Sequence, residues 1–302
     1  MTPTMTPGDP SPRLFCFGLG YTAVRLARHL LDQGWSVAGT CRAGDQARKL
    51  DAMGIAAEVF DGAAPGPEAA GWLNGATHVL NSVPPGLDGD PVLTHFGPAL
   101  AVPPSVSWLG YLSTTGVYGN TDGRIVAEDA PLAADVDRSR RRVEAEAGWR
   151  ALSDTHQLPL HVFRLAGIYG PGRNQLVQAS QGKARRIIKP GHQFSRIHVD
   201  DIVRVLAASM ARPNPGAVYN VCDNESAEPA RVSEFACDLL GLAPPDPVSF
   251  EDAAKTMSPM GVSFWQDNRR VDNSRIRDEL AIRLQYPTYR EGLQAIFETD
   301  FS

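Results

Sequence analysis

The chain is poor in cysteine. Four occur in 302 residues (Cys16, Cys41, Cys222 and Cys237), none in a metal-ligand spacing. That rules against a disulfide framework and a zinc site, and no metal is expected. A surplus of positive charge is also missing: 29 Lys and Arg against 34 Asp and Glu leave a net charge of −5. General nucleic-acid and membrane-surface binders are normally basic, so neither partner is expected. No apolar run approaches the roughly 18–20 residues of a bilayer span. The opening "MTPTMTPGDPSP" carries no apolar segment of the signal-peptide kind. Residues 1–12 therefore read as a disordered tail, and a reducing cytoplasm is the expected setting, with a small molecule as partner.

What is present is a large core and an alternating pattern. Hydrophobic residues make up 43% of the chain, enough for one big domain or two coupled ones. Apolar runs at 13–18, 35–40, 56–60, 77–82, 106–113 and 158–165 read as strands, and several are near-continuous, as in parallel strands covered on both faces. Helical stretches at 21–33, 44–53, 90–101 and 139–156 separate them. Strands alternating with single helices predict an α/β fold, a Rossmann-type doubly wound parallel sheet. After residue 166 short elements are broken by "GPGR", "KPG", "RPNPG" and "APPDP". The expected division is a nucleotide-binding domain over 13–165 that also receives 195–222, and a smaller C-terminal substrate lobe from 166–194 and 223–302.

"LFCFGLGYTAVRLARHLLDQGWSVAGTCR" is the most informative stretch. A strand runs into Gly18-Leu19-Gly20-Tyr21-Thr22-Ala23 and then into an amphipathic helix. Gly18 suits the tight turn, Gly20 lets a pyrophosphate approach the backbone, and the small Ala23 allows close helix–strand packing. The helix opening at Tyr21 and Thr22 presents amides to the anion. The next strand ends in Thr40-Cys41-Arg42, where an NAD site usually carries an acid. The Arg42 guanidinium suits a 2′-phosphate, so NADP is expected as cofactor, with NAD as the alternative. Asp61 fits either an adenine contact or a turn. Asn81 and Ser82 end the fourth strand, where ligands sit in such sheets.

With "STTGVYG" (113–119), "FRLAGIYGPGR" (163–173), "SRIHVDDIVRVL" (195–206), "VYNVCDNES" (218–226) and "TYREGL" (288–293) in order, a family likeness emerges. The chain resembles the extended short-chain dehydrogenases/reductases of the NAD-dependent epimerase/dehydratase type, in particular the atypical branch whose loop reads Gly-x-Gly-x-x-Ala. The resemblance puts Thr114 where the family has a Ser or Thr that hydrogen-bonds the reacting oxygen beside the nicotinamide. It places the backbone of Ala166 to Ile168 against the carboxamide side, and it matches Arg196 to an arginine that contacts the substrate phosphate. A salt bridge of Arg196 with Asp200 or Asp201 is an equal alternative. Tyr169, Lys189 and Arg173 are further substrate candidates, and the resemblance allows a homodimer through the helix after "STTGVYG".

One absence conflicts with the family pattern. Its Tyr-x-x-x-Lys pair places an acid/base and a ribose-binding ammonium on one helix face. No tyrosine lies between Tyr118 and Tyr169. Aligning the trailing Ala145-Glu146 puts Arg138 at the tyrosine position and Arg142 at the lysine position, within "RSRRR" (138–142). Arginine carries no readily released proton, so Arg142 fits a ribose contact whereas Arg138 cannot replace a phenol. Thr114, Tyr169 and His198 are the substitutes to weigh as proton relay. Two readings of function follow. One is an NADP-binding oxidoreductase or epimerase-like enzyme acting on a small polar, nucleotide-sugar-like substrate; the other is a dinucleotide-binding sensor without catalysis.

Overall fold

The computed structural model describes residues 11–101 and 106–301. Most of the expected tail therefore lies outside the described residues. The chain runs β1 (Arg13–Phe17), α1 (Tyr21–Leu31), β2 (Ser36–Cys41), α2 (Gly44–Asp51), β3 (Ala56–Val59), α3 (Pro67–Asn74), β4 (His78–Asn81), α4 (Pro91–Ala101) and β5 (Trp108–Thr114). After a 3-10 turn at Thr115–Tyr118 come β6 (Ile125–Val126), α5 (Asp137–His156), β7 (Leu160–Leu165), β8 (Gly167–Tyr169), α6 (Gln175–Ser180), β9 (Arg186–Ile188), β10 (Arg196–His198), α7 (Val199–Ala211) and β11 (Val218–Val221). The chain closes with α8 (Pro229–Leu239), β12 (Pro247–Ser249), α9 (Phe250–Ala254), α10 (Pro259–Ser263), β13 (Arg270–Val271), α11 (Ser274–Asp278) and α12 (Tyr289–Asp300).

Seven strands form one sheet in the order β11-β7-β5-β4-β1-β2-β3, parallel at every pair from β3 across to β5. The fold is the expected Rossmann-type α/β sheet. From β1 the chain steps outward to β2 and β3, then returns to place β4 on the other flank of β1. The carboxyl ends of β1 and β4 thus flank the topological switch point, where open α/β sheets bind ligands. The remaining strands pair in twos: β8 with β10, β9 with β12, and β6 with β13.

Two compact units divide the chain. The first comprises residues 1–113, 140–164 and 203–219, and the second 114–139, 165–202 and 220–302. Residues 114–139, 165, 195–202 and 220–222, which the sequence pattern assigns to the nucleotide-binding domain, fall in the second. Among the described residues no helix is long and apolar enough to cross a membrane.

The first unit is held by a core of strand and helix aromatics: Phe15, Phe17, Phe60, Phe96, Tyr111 and Trp149. Helix α1 buries Thr22, Ala23, Leu26, Ala27 and Leu30, the three- and four-residue spacing of one helix face. On α5, Glu146 is buried and forms a polar knot with two strands. Its Oε1 accepts from Ser113 Oγ at 2.5 Å and from Arg164 Nε at 3.2 Å, and its Oε2 accepts from Arg164 Nη2 at 2.9 Å. Ser113 belongs to β5 and Arg164 to β7, so one carboxylate ties the helix to two adjacent strands. Removing one partner of such a pair strands the other charge out of water. Glu146→Ala should therefore lower unfolding stability by about 3 kcal/mol in urea denaturation, because Arg164 is only 3% exposed.

Candidate functional site

A cavity of about 300 Å³ lies at the switch point, lined by Gly18, Leu19, Gly20, Arg42, Gln46, Phe60, Asp61 and the Ser82–Pro84 segment among others. All of these belong to the first unit. Its floor is the turn after β1. Gly18 has φ +81°, and a Cβ there would come within 2.9 Å of Val83 Cγ2 and 3.0 Å of Ser82 Oγ. Glycine is needed at this position for conformation and for space. At Gly20 a Cβ would meet nothing within 4 Å, so the backbone faces open space.

The turn is held from both sides. Thr40 on β2 accepts the Gly18 N–H on its hydroxyl at 3.0 Å and the Leu19 N–H on its carbonyl at 2.6 Å. From β4, the Ser82 hydroxyl donates to the Gly18 carbonyl and the Ser82 N–H to the Phe17 carbonyl. Gln46 on α2 donates to the Leu19 carbonyl at 2.6 Å. Helix α1 begins without a side-chain cap: Gly20 is the N-cap, and the first intrahelical bond runs from Val24 N–H to its carbonyl. Uncapped amides at a helix start, with positive dipole and no obstructing side chain, form an anion site. The donor set fits the pyrophosphate of a dinucleotide.

Around the turn, Tyr21 is half-buried with Arg25 over its ring at 5.3 Å, and Thr22 and Ala23 are buried against the sheet. Arg42 is exposed and lines the cavity. Asp61 lines it too, while its Oδ1 accepts the Ala63 N–H at 3.0 Å, so it also shapes the turn after β3. Thr40 and Gln46 are the residues that motif reading misses. Thr40 is buried and turned toward the glycine turn. No spacing in the sequence signals the Gln46 contact.

Helix α5 carries the arginine run. Arg142 Nη1 donates to Tyr111 Oη at 2.9 Å and to the Leu112 carbonyl at 3.0 Å, which fastens it to β5 in the first unit. Arg138, in the second unit, stacks on Phe264. Thr114 ends β5 and accepts the Gly116 N–H at 3.1 Å, capping the 3-10 turn. That bond uses a lone pair of the hydroxyl and leaves its proton as a donor.

In the second unit Ala166 is fixed by its N–H to the Val221 carbonyl, and Ile168 pairs with Ile197 across β8 and β10. Tyr169 is buried in an apolar cluster with Leu176, Tyr289 and Leu293, and its hydroxyl reaches the Thr288 carbonyl. Burial pushes its phenol well above the ordinary range, and the nearby Asp223 and Asp201 add to the shift. A proton relay near neutrality is not available from that group. His198 is buried between Tyr169 and Tyr286. Arg196 donates to the carbonyls of Phe194 and Ala227 and forms an ion pair with neither Asp200 nor Asp201. Asp201 instead accepts the backbone N–H groups of Gln285 and Tyr286. Lys189 donates to the Trp265 carbonyl.

Arg196 has Asp223 as its main electrostatic neighbour. The Asp223 carboxyl is buried, its Oδ2 lacks a hydrogen-bond partner, and burial pushes its pKa up to about 8. The folded protein therefore holds this proton up to about pH 8, whereas an unfolded aspartate releases it near 3.8. Stability linked to Asp223 is full below about pH 4 and is lost as pH rises towards 8. Urea midpoints measured over that window should fall more steeply with pH in the native protein than in Asp223→Asn.

No family model matches the chain. The fold, with its glycine turn at the switch point, defines a Rossmann-type α/β protein. A dTDP-glucose 4,6-dehydratase from Bacillus anthracis, solved in complex with NAD, superposes with a TM-score of 0.75 at 18% identity, over 97% of this chain and 98% of that one. Such a likeness establishes the fold. A conserved protein of unknown function from Silicibacter pomeroyi is 48% identical over 97% of this chain and 100% of its own, with a TM-score of 0.87. The chain belongs to the same family as that protein. It is also similar to the Escherichia coli K12 protein YeeZ, at 31% identity over 183 residues. That match spans 59% of this chain and 58% of YeeZ.

Proposed function

We propose that the chain is an NADP-binding oxidoreductase of epimerase/dehydratase type, acting by reversible hydride transfer on a small polar substrate. The observation that carries this reading is the glycine turn at the switch point, held open by Thr40, Ser82 and Gln46 in front of the uncapped start of α1. In the proposed complex the amides at that helix start hold the pyrophosphate, and Arg42 at the cavity wall pairs with the adenosine 2′-phosphate. Asp61 keeps one carboxylate oxygen for the adenine side. The Epimerase/dehydratase neighbours solved with NAD support a nicotinamide dinucleotide as the ligand class.

Bound there, the cofactor supplies hydride transfer, and the chain supplies orientation and electrostatics. Thr114 polarises the substrate oxygen by a hydrogen bond from its hydroxyl, the Gly116 N–H fixing its rotamer. Arg142 offers the ribose a fixed cation, because its Nη1 is already held by Tyr111 and Leu112.

The tyrosines favour a second reading. Tyr111, Tyr118 and Tyr169 are all buried, and burial raises the phenols of Tyr111 and Tyr169. With no tyrosine between 119 and 168, none of these three stands ready as an acid/base, which suits a dinucleotide-binding sensor. Turnover separates the two readings. Carbonyl-dependent NADPH oxidation that falls about a hundredfold in Thr114→Val supports the enzyme, and tight binding without turnover across carbonyl and nucleotide-sugar panels supports the sensor.

Cofactor preference has its own test by calorimetry. Arg42→Gln should weaken NADPH binding about tenfold, the loss of one charge-assisted pair, and leave NADH nearly unchanged. Native protein that binds NADH as tightly as NADPH would contradict the assignment.

A further inference from the structure

At the position where the family pattern has a tyrosine, Arg138 lies with its guanidinium carbon 3.7 Å from the centre of the Phe264 ring. Phe264 is half exposed, so the stacked cation is presented on an open aromatic shelf. Five residues further on, Arg269 donates to Asp267 Oδ2 at 2.8 Å and to the Gly119 carbonyl at 3.1 Å. Arg138 and Arg269 repel each other, and Asp267 offsets the repulsion for both.

The same segment carries a second cation. Lys189 donates to the Trp265 carbonyl, with its ammonium 4.6 Å from the Phe250 ring centre. His192 stacks on Trp265 at 5.4 Å and 19°, and its Nε2 is buried without a hydrogen-bond partner. Burial, then the charges of Lys189 and Arg269, push the imidazole pKa down to about 4. His192 is therefore neutral and able to present Nε2 as an N–H donor. Among the described residues neither Arg138 nor Lys189 has an ion-pair partner, and Asp267 is the one carboxylate in contact with Arg269. All of these residues belong to the second unit.

Positive groups gathered about residues 264–269 have a single contacting carboxylate, Asp267, with Glu251 acting on Lys189 from beyond contact, and they stand beside an orphaned buried nitrogen. We propose that Arg138, Arg269, Lys189 and His192 Nε2 form a subsite for a carboxylate or phosphate group of the substrate. The planar guanidinium of Arg138, backed by Phe264, is suited to bidentate contact with such an oxyanion. This deepens the proposed function and rests on it: the replacement of the tyrosine exchanges a proton-transfer group for a substrate-anchoring one.

The test uses the 15N-labelled full chain, titrated with inorganic phosphate and separately with malonate. The Trp265 indole N–H reports this subsite and the Gly20 amide reports the cofactor turn. Saturable shifts of the Trp265 signal are expected, with affinity about tenfold weaker in Arg138→Gln and in Arg269→Gln, partly restored in Arg138→Lys, and unchanged in Arg42→Gln. Arg138 lies at the surface of its helix, so its variant remains informative if Arg269→Gln fails to fold. A Trp265 signal that neither anion moves, or shifts of equal affinity in native protein and Arg138→Gln, overturns the proposal. If Trp265 responds while NADPH does not bind, the cofactor reading falls and the subsite stands. NADPH binding with an inert Trp265 gives the reverse.

Discussion

The turn after β1 depends on Thr40. Its hydroxyl and its carbonyl accept two successive N–H groups, those of Gly18 and Leu19, that would otherwise point into a buried strand end. An unpaired buried amide costs about 1–3 kcal/mol, so this one residue of β2 sets the path of the chain leaving β1. The positive φ of Gly18 follows from that path, and so does the exposed, uncapped start of α1. Ser82 completes the clamp from β4, so the two strands flanking β1 both hold the loop. The cavity is a consequence of where these three strand ends meet.

The parts of this arrangement that were legible in the sequence are those governed by local rules. Apolar runs of strand length, helices at a 3.6-residue period, and a Gly-x-Gly-x-x-Ala turn between them placed β1 to β5, α1, α2, α4 and α5 to within a few residues. The Gly18 and Gly20 assignments were readable because only glycine tolerates the first conformation and leaves the second position open. Thr40 stood out in the sequence only as part of the strand end Thr40-Cys41-Arg42. Its true orientation is set by a hydrogen bond to a residue 22 positions away, which no local pattern encodes. The two-stranded pairs of the second unit involve strands of two or three residues joined across long separations, such as β6 with β13, and give no periodic signal at all. Arg196 and Lys189 were visible as cations, but their partners are backbone carbonyls, which composition cannot reveal.

Helix α5 shows how one element serves several tasks through its spacing. Glu146 and Arg142 stand one turn apart on the same face, the first bonded to Ser113 and Arg164, the second to Tyr111 and Leu112. The carboxylate knot thereby fixes the rotation of the helix and, with it, the direction of Arg142. Arg138 lies one further turn towards the N-terminus and engages Phe264 instead. The arginine run is therefore neither a uniform basic patch nor a solvated face. Its members at four-residue spacing have separate, geometrically defined partners.

The central claim is that the uncapped start of α1, behind the Thr40 clamp, holds the pyrophosphate of an adenine dinucleotide. Amide hydrogen exchange at Thr22 and Ala23, measured with and without saturating NADPH, tests this most directly. Exchange at these amides should slow markedly on binding, ahead of other surface loops. Binding of NADPH that leaves both unprotected would contradict it.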